Sequence, residues 1–292
     1  MSIDILQDRI RKLKSPIALD FSIKAELLPP HLLADEGSYN RAYARFCREL
    51  LGGLREHAAA VRFSFGQFAL MGGSGLALLS DLTKEAAQLG YYVLLDSSDT
   101  LTPWSAERAA DAFWGESSSY PCDGLVVSPY IGSDALKPFL PFCKEQNKDL
   151  YVVVRSPNKS AAELQDLLTG SRQVHVAAMD TVSRLGEPMF GKSGYSRVCA
   201  AVGAGAPDSI RNLRMRYKYV FLLVDGLDYP SGNAKNCSFA FDRLGHGAAV
   251  CAGPSVIAAW RETESDGRDY VEQAVQAAER IKKNLSRYVT IL

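Results

Sequence analysis

The sequence predicts an α/β fold, a (β/α)8 TIM barrel formed by a single domain over residues 1–292. Three observations support this prediction: the chain length, an alternation of eight short apolar runs with longer amphipathic stretches, and the lack of polar alternation inside the runs. Barrels of this class extend to about 250 residues as one unit. Strands that are apolar throughout are typical of a parallel sheet covered on both faces.

Eight segments are predicted to be strands. The runs at 151–154 and 220–224 contain apolar and aromatic residues only, as expected for strands buried on both faces. A doubly wound open sheet would give the same alternation, so it stays open as the alternative. The predicted strands are 17–21, 60–65, 91–96, 124–128, 150–155, 198–202, 219–224 and 248–251.

The stretches between the strands have helical periodicity or strong helix formers. Several begin with a residue suited to capping a helix, such as Ser105, Ser133 and Ser160. An N-terminal helix is predicted over about 1–14 and a C-terminal helix over about 269–285. The other predicted helices are 39–52, 76–89, 105–114, 133–145, 160–168 and 207–215.

Composition excludes several classes of function. The 33 basic residues balance the 33 acidic ones, which argues against a nucleic-acid or membrane-surface partner. No apolar run reaches the roughly 18 residues of a membrane-spanning helix, and the N-terminus does not resemble a secretion signal. Six scattered cysteines predict reduced thiols in a cytoplasmic protein. The four histidines have no metal-ligand spacing, so no metal ligands are predicted.

Polar residues at the ends of the predicted strands are the candidates for a site, because barrel enzymes place their active sites there. Asp20, Arg62 and Asp96 follow the first three strands. They could contact a ligand. Alternatively, Arg62 could form a structural ion pair with the two aspartates, or the aspartates could cap backbone amides.

Several segments resemble the longer bacterial subfamily of orotidine 5′-phosphate decarboxylases. The clearest are DGLVVSPYIGSD at 123–134 and YVVVRSPN at 151–158. Further matches, in the family's order, extend the resemblance from about residue 17 to residue 257; they lie at 19–20, 26–29, 194–196, 201–204 and 207–208. The resemblance implies a TIM barrel, a homodimer, and removal of carbon dioxide from a pyrimidine nucleotide without a cofactor.

In that family the third strand ends in an Asp-x-Lys-x-x-Asp motif, whose lysine stabilises and protonates a carbanion-like ring. Asp96 matches the first aspartate. Ser98 stands at the lysine position and Leu101 at the last aspartate position. Because no lysine occurs between Lys84 and Lys137, no shift of the alignment places one in this motif.

The ligand-binding positions implied by the resemblance also differ. Arg62 replaces a lysine at the end of the second strand, and Pro157 stands where a serine contacts the pyrimidine. Pro230 replaces a glutamine, and Pro254 replaces the arginine that clamps the phosphate. Losing that arginine removes a charge-assisted contact worth on the order of 1.5–3 kcal/mol.

These observations predict a decarboxylase-family barrel in which decarboxylation is weak or absent. Asp96 and Arg62 are the candidate catalytic residues. The candidate ligand contacts are Asp20, Ser128, Arg155, Asn158 and Gly226.

The expected partners are a small molecule, such as a pyrimidine nucleotide, and a second copy of the chain. Leu101 and Trp104 are predicted to lie at the interface between the copies. Two alternative functions remain. One is a non-catalytic protein that binds a nucleotide or sugar phosphate. The other is an enzyme of different chemistry that uses the aspartates near the strand ends, with or without a divalent cation; those aspartates are Asp96, Asp99, Asp225 and Asp228.

Overall fold

The computed structural model describes residues 2–22, 24–96 and 101–292. Eight parallel strands form a closed barrel in which each strand pairs with the next and the last pairs with the first. The single-domain (β/α)8 barrel is confirmed, and the open doubly wound sheet was the wrong alternative. The strands are β1 (Ile17–Asp20), β2 (Ala60–Ser64), β3 (Tyr92–Asp96), β4 (Gly124–Val127), β5 (Asp149–Arg155), β6 (Ser196–Gly203), β7 (Val220–Asp225) and β8 (Ala248–Ala252).

Helices surround the barrel, because the right-handed crossover between parallel strands leaves its helix on the outer face of the sheet. The helices are α1 (Ser2–Leu13), α2 (Pro30–Glu36), α3 (Tyr39–Leu54), α4 (Phe65–Ala69), α5 (Gly72–Gln88), α6 (Pro103–Trp114), α7 (Leu140–Glu145), α8 (Val174–Gly186), α9 (Pro207–Arg216), α10 (Ala234–Ser238), α11 (Pro254–Ile257) and α12 (Tyr270–Ser286). The short helices α2, α4, α10 and α11 were not predicted.

The crossover between β5 and β6 differs most from the prediction. A helix was expected at 160–168, but the structure has a 3₁₀ turn at Lys159–Glu163 and then a hairpin of Leu168–Thr169 with Arg172–Gln173. Gly170 turns this hairpin with φ 65°. The long helix of the crossover is α8, which follows the hairpin and was not predicted.

The predicted helix at 133–145 is interrupted. Two 3₁₀ turns, Ser133–Ala135 and Lys137–Phe139, precede the short helix α7. Pro138 is the physical reason, since proline lacks the N–H that a continuous helix needs and restricts the residue before it.

Apolar side chains form two layers, one on each side of the strands. One layer lies between the strands and the surrounding helices, and the other occupies the barrel interior. Ile3, Leu6 and Ile10 of α1 belong to the interior layer. The first helix therefore closes the end of the barrel at which the strands begin, and the opposite end is left for a site.

Across the parts of the chain that the structure describes, no helix is both long and apolar enough to cross a membrane. All six cysteines lie in those parts, and each is buried and unpaired, as predicted for reduced thiols.

Asp149, the first residue of β5, is fully buried near the closed end of the barrel. The Tyr92 hydroxyl donates to its Oδ2 at 2.6 Å, and the Tyr151 hydroxyl donates to Tyr92 at 3.1 Å. Within the described ranges its Oδ1 has no hydrogen-bond partner. Burial, only partly offset by the Tyr92 hydrogen bond, raises the pKa of Asp149 to about 8.

We predict that Asp149→Asn reduces the loss of stability at alkaline pH. The folded protein keeps a proton on Asp149 that the unfolded chain releases near pH 4, so wild-type stability falls as pH rises from about 4 to about 8. Urea unfolding at pH 4 and at pH 8 measures the effect. Between these pH values, the free energy of unfolding of the variant should rise relative to that of the wild type by on the order of 1–3 kcal/mol. The control is Asp208→Asn, at an exposed aspartate, and should show no such gain. Parallel pH profiles for wild type and Asp149→Asn would contradict the prediction.

Candidate active site

A cleft of about 740 Å³ opens where the strands of the barrel end. We call it the mouth cleft. Of the residues predicted for the site, Asp20, Arg62, Asp96, Ser128 and Gly226 line it. Its other described lining residues are Ser22, Ser64, Val126, Val127, Val153, Ser156, Pro157, Asp225, Asp228, Tyr229, Cys251, Gly253 and Pro254.

Arg62 is held between carboxylates from two other strands. Its Nη1 donates to Oδ1 of Asp225 at 2.6 Å, and its Nη2 donates to Oδ2 of Asp20 at 2.5 Å. The register that pairs Asp20 with Arg62 on adjacent strands sets this geometry. Burial opposes the charge of Arg62, but Asp20 and Asp225 more than offset it and hold its pKa well above the ordinary value. Both terminal nitrogens of the guanidinium are thus already engaged.

Asp96 is the third carboxylate beside Arg62, and its Oδ1 lies 3.9 Å from the Arg62 Nε. Its side chain is 34% exposed to the cleft, but the oxygen that faces Arg62 is buried. Burial and the neighbouring Asp20 and Asp225 raise the pKa of Asp96 to about 7, against the opposing effect of Arg62. Among the residues that the structure describes, neither Asp96 Oδ1 nor Arg62 Nε has a hydrogen-bond partner.

Asp228 lies in the loop after β7 and binds the backbone that follows β8. Its Oδ2 accepts the N–H of Gly253 at 2.6 Å, and its Oδ1 accepts the N–H of Ser255 at 3.2 Å. The loops after the seventh and eighth strands, with a short helix, commonly form the phosphate site of TIM barrels. In this chain the Asp228 carboxylate binds the backbone N–H groups at that place.

The chain is similar in sequence to known orotidine 5′-phosphate decarboxylases. No protein-family model matches the chain. The chain is 29% identical over 253 residues to the orotidine 5′-phosphate decarboxylase of Rhodopirellula baltica, covering 82% of this chain and 84% of the relative. It is 23% identical over 302 residues to that of Caldicellulosiruptor bescii, covering 98% of both.

Solved structures resemble the fold. The orotidine 5′-monophosphate decarboxylase of Plasmodium berghei superposes with a TM-score of 0.76 at 13% identity, covering 97% of this chain and 99% of that one. The Leishmania donovani enzyme gives 0.72 at 22% identity, covering 97% and 100%. The comparisons support the orotidine 5′-phosphate decarboxylase family. The chain is a TIM barrel that is similar in sequence and fold to these decarboxylases.

Two of the predicted ligand contacts lie outside the mouth cleft of this barrel. Arg155 makes a bidentate ion pair with Asp166, in which its Nε donates to Oδ1 at 2.9 Å and its Nη2 donates to Oδ2 at 2.8 Å. The Nδ1 of His175 is 3.3 Å from the same carboxylate. Asn158 donates to Ser160 at 2.8 Å. The sequence did not reveal these contacts, because the segment that carries Asp166 was predicted to be a helix.

Gly226 and Ser128 both line the cleft. Gly226 has φ 86°, and a Cβ there would lie 2.4 Å from the Cβ of Pro157, so glycine is required by both conformation and space. The Ser128 hydroxyl accepts the Tyr130 N–H at 3.4 Å and faces the cleft.

Several residues that line the cleft were not among the predicted catalytic residues and ligand contacts. Ser64 lies two positions after Arg62, which puts both on the same face of β2, as the position of Ser64 at the end of the predicted strand indicates. Cys251 is buried beside Arg62, and burial raises the pKa of its thiol well above the ordinary value, so it stays protonated as a small apolar group. Ser98 and Asp99 lie outside the described residues.

We predict that Arg62→Ala lowers the free energy of unfolding by about 3–5 kcal/mol, because it leaves Asp20 and Asp225 unpaired in a largely buried site. Urea unfolding at pH 7.5 measures the change. Adding Asp20→Asn and Asp225→Asn to the same variant should recover part of the loss. Arg108→Ala, in an exposed pair with Asp111, is the matched control and should change stability little. An unchanged urea midpoint for Arg62→Ala would contradict the prediction.

Proposed function

We propose that this chain keeps the decarboxylase barrel without decarboxylating orotidine 5′-monophosphate, and that it binds a small molecule in the mouth cleft. One observation carries the proposal: Arg62, the one cationic side chain among the described lining residues, has its charge matched by Asp20 and Asp225. The lysine position of the family motif holds Ser98, and no lysine lies between Lys84 and Lys137.

The pairing of Arg62 matters because decarboxylation develops negative charge on the substrate. Decarboxylation leaves negative charge on the ring, so a site needs an uncommitted cation to stabilise it and an acid to protonate it. Arg62 is a poor proton donor, because the pKa of an arginine exceeds about 12. Its charge is also offset by carboxylates, so little of it is left for a carbanion. Enzymes of all kinds lower barriers by roughly 8–23 kcal/mol, and the groups that would do so here are replaced.

The position expected for a phosphate supports the same conclusion. By the resemblance, Pro254 stands in place of the arginine that clamps the phosphate. Asp228 occupies the backbone amides of Gly253 and Ser255. A nucleotide substrate would therefore lose both a cationic contact and two amide contacts, which favours a binding protein over a decarboxylase.

We predict that the purified protein does not consume orotidine 5′-monophosphate above the blank, followed by ultraviolet absorbance at pH 7.5. It would be made in a host whose own decarboxylase gene is deleted, so that contamination cannot produce a signal. The decarboxylase of Rhodopirellula baltica, made in the same host, is the positive control.

An Asp96→Ala preparation gives a second control, because Asp96 is the motif aspartate that this chain retains. Wild type and variant should give the same flat trace. Turnover by the wild type that Asp96→Ala abolishes would show genuine catalysis at this site and overturn the proposed function.

We also propose that the protein is a homodimer through the start of α6. Leu101 and Trp104 are 73% and 72% exposed, which is unusual for large apolar side chains so close together in sequence. By the resemblance, this region contributes to a dimer interface. Exposed aromatic residues are typical anchors of such interfaces.

We predict that Trp104→Glu converts the dimer to a monomer of 31.9 kDa, measured by light scattering after gel filtration. Glutamate is compatible with the first turn of α6, so the fold should survive the change. Tyr219→Glu is the control, since Tyr219 is 64% exposed just before β7, at the opposite end of the barrel. A wild type that is monomeric at micromolar concentration, or a dimer that Trp104→Glu leaves intact, would contradict this prediction.

A further inference from the structure

We propose that the mouth cleft selects an uncharged, hydroxyl-bearing small molecule and rejects its phosphorylated form, because Asp228 occupies the backbone amides at the phosphate position and Asp96 presents the exposed part of its side chain to the cleft. The inference rests on the proposed function, since it gives the ligand class of the same cleft.

The rejection of phosphate follows from the contacts of Asp228. Both of its oxygens are bound to backbone N–H groups after β8, at 2.6 Å from Gly253 and 3.2 Å from Ser255. A phosphate would need the same donors and would have to displace the carboxylate. Asp228 would then remain beside the phosphate, and like charges side by side cost binding free energy.

The rest of the cleft offers a phosphate little positive charge. Its described lining contains four aspartates and one arginine. That arginine already donates to Asp20 and Asp225, so an anion would compete with two carboxylates for it. An anionic ligand therefore gains little there.

The preference for a hydroxyl follows from Asp96 at the floor of the cleft. The Oδ1 of Asp96 and the Nε of Arg62, 3.9 Å apart, are both buried and closed to a ligand. The Asp96 side chain as a whole is 34% exposed to the cleft, so a ligand can reach the rest of its carboxyl group there. A hydroxyl can donate to a carboxylate and can also accept from a neighbouring serine, whereas a carbonyl can only accept.

The walls of the cleft fit a small polar molecule with an apolar face. Val126, Val153 and Pro157 form an apolar side. Four serines that face the cleft add hydroxyl groups that can donate or accept; they are Ser22, Ser64, Ser128 and Ser156. Pockets of this composition typically orient a ligand with a few polar groups against an apolar wall.

Isothermal titration at pH 7.5 with uridine, uridine 5′-monophosphate and ribose tests the proposal, since the first two differ by one phosphate. We expect the wild type to bind uridine at least about tenfold more tightly than the monophosphate. Asp228→Ala frees the two backbone amides and removes the negative charge, so it should remove most of the difference in affinity between uridine and the monophosphate. Asp228→Asn removes the charge but keeps the size of the side chain, so it should reduce this difference less. It also provides a second variant if Asp228→Ala does not fold.

Two further variants sharpen the test. Asp96→Leu removes the acceptor at the cleft floor and should weaken uridine binding about tenfold while preserving the preference over the monophosphate. Asp134→Ala, at an exposed aspartate paired with Lys137, is the matched control and should change neither affinity.

Three results would overturn the inference: equal or tighter binding of the monophosphate by the wild type, an unchanged ratio in both Asp228 variants, or binding of neither uridine nor ribose. The decarboxylation assay separates this from the proposed function. An inactive protein that binds the monophosphate tightly would refute only the ligand class, whereas turnover of orotidine 5′-monophosphate would refute the proposed function itself.

Discussion

The guanidinium of Arg62 links three strands of the barrel, and the character of the mouth cleft depends on it. Asp20 ends β1, Arg62 lies in β2 and Asp225 ends β7, so the Arg62 side chain binds a residue 163 positions away in sequence. A closed parallel barrel makes this contact possible, because it brings the carboxyl ends of all its strands to one rim. Removing any one member leaves a charge in a largely buried place, so the three residues stabilise the rim only as a set.

The same ion pairs determine what the cleft can bind. A cation that faces two carboxylates at hydrogen-bond distance presents little net positive charge to a ligand, however buried it is. Asp96 adds a third carboxyl, and burial together with the negative charges of Asp20 and Asp225 raises its pKa to about 7. The cleft is therefore neutral to acidic at physiological pH. Chemistry that develops negative charge on a substrate is disfavoured for the same reason.

How far the sequence predicts this structure depends on the range of the contacts involved. The eight strands follow from local apolar runs, and the resulting rim correctly brings Asp20, Arg62 and Asp96 together. The crossover after β5 could not be predicted. Gln165 and Asp166 lie in a stretch of helix formers, yet their side chains bind Ser156 and Arg155, and this tertiary contact overrides helix propensity. The role of Asp228 was also hidden, because it requires knowing that the loop after β7 meets the backbone after β8.

Loss of function by simple decay and reconstruction of a site leave different physical traces. Decay that removed only the phosphate-binding arginine would leave the Gly253 and Ser255 amides facing solvent. In this chain Asp228 binds both amides, and Arg62 is matched by two carboxylates. The two backbone amides and both terminal nitrogens of Arg62 are thus bound by carboxylates of the protein, and such hydrogen-bonded networks favour a single conformation. Asp96, beside Arg62, keeps part of its side chain exposed to the cleft. That arrangement favours a rebuilt binding site over a decayed one, because decay alone gives no reason for protein carboxylates to bind these donors.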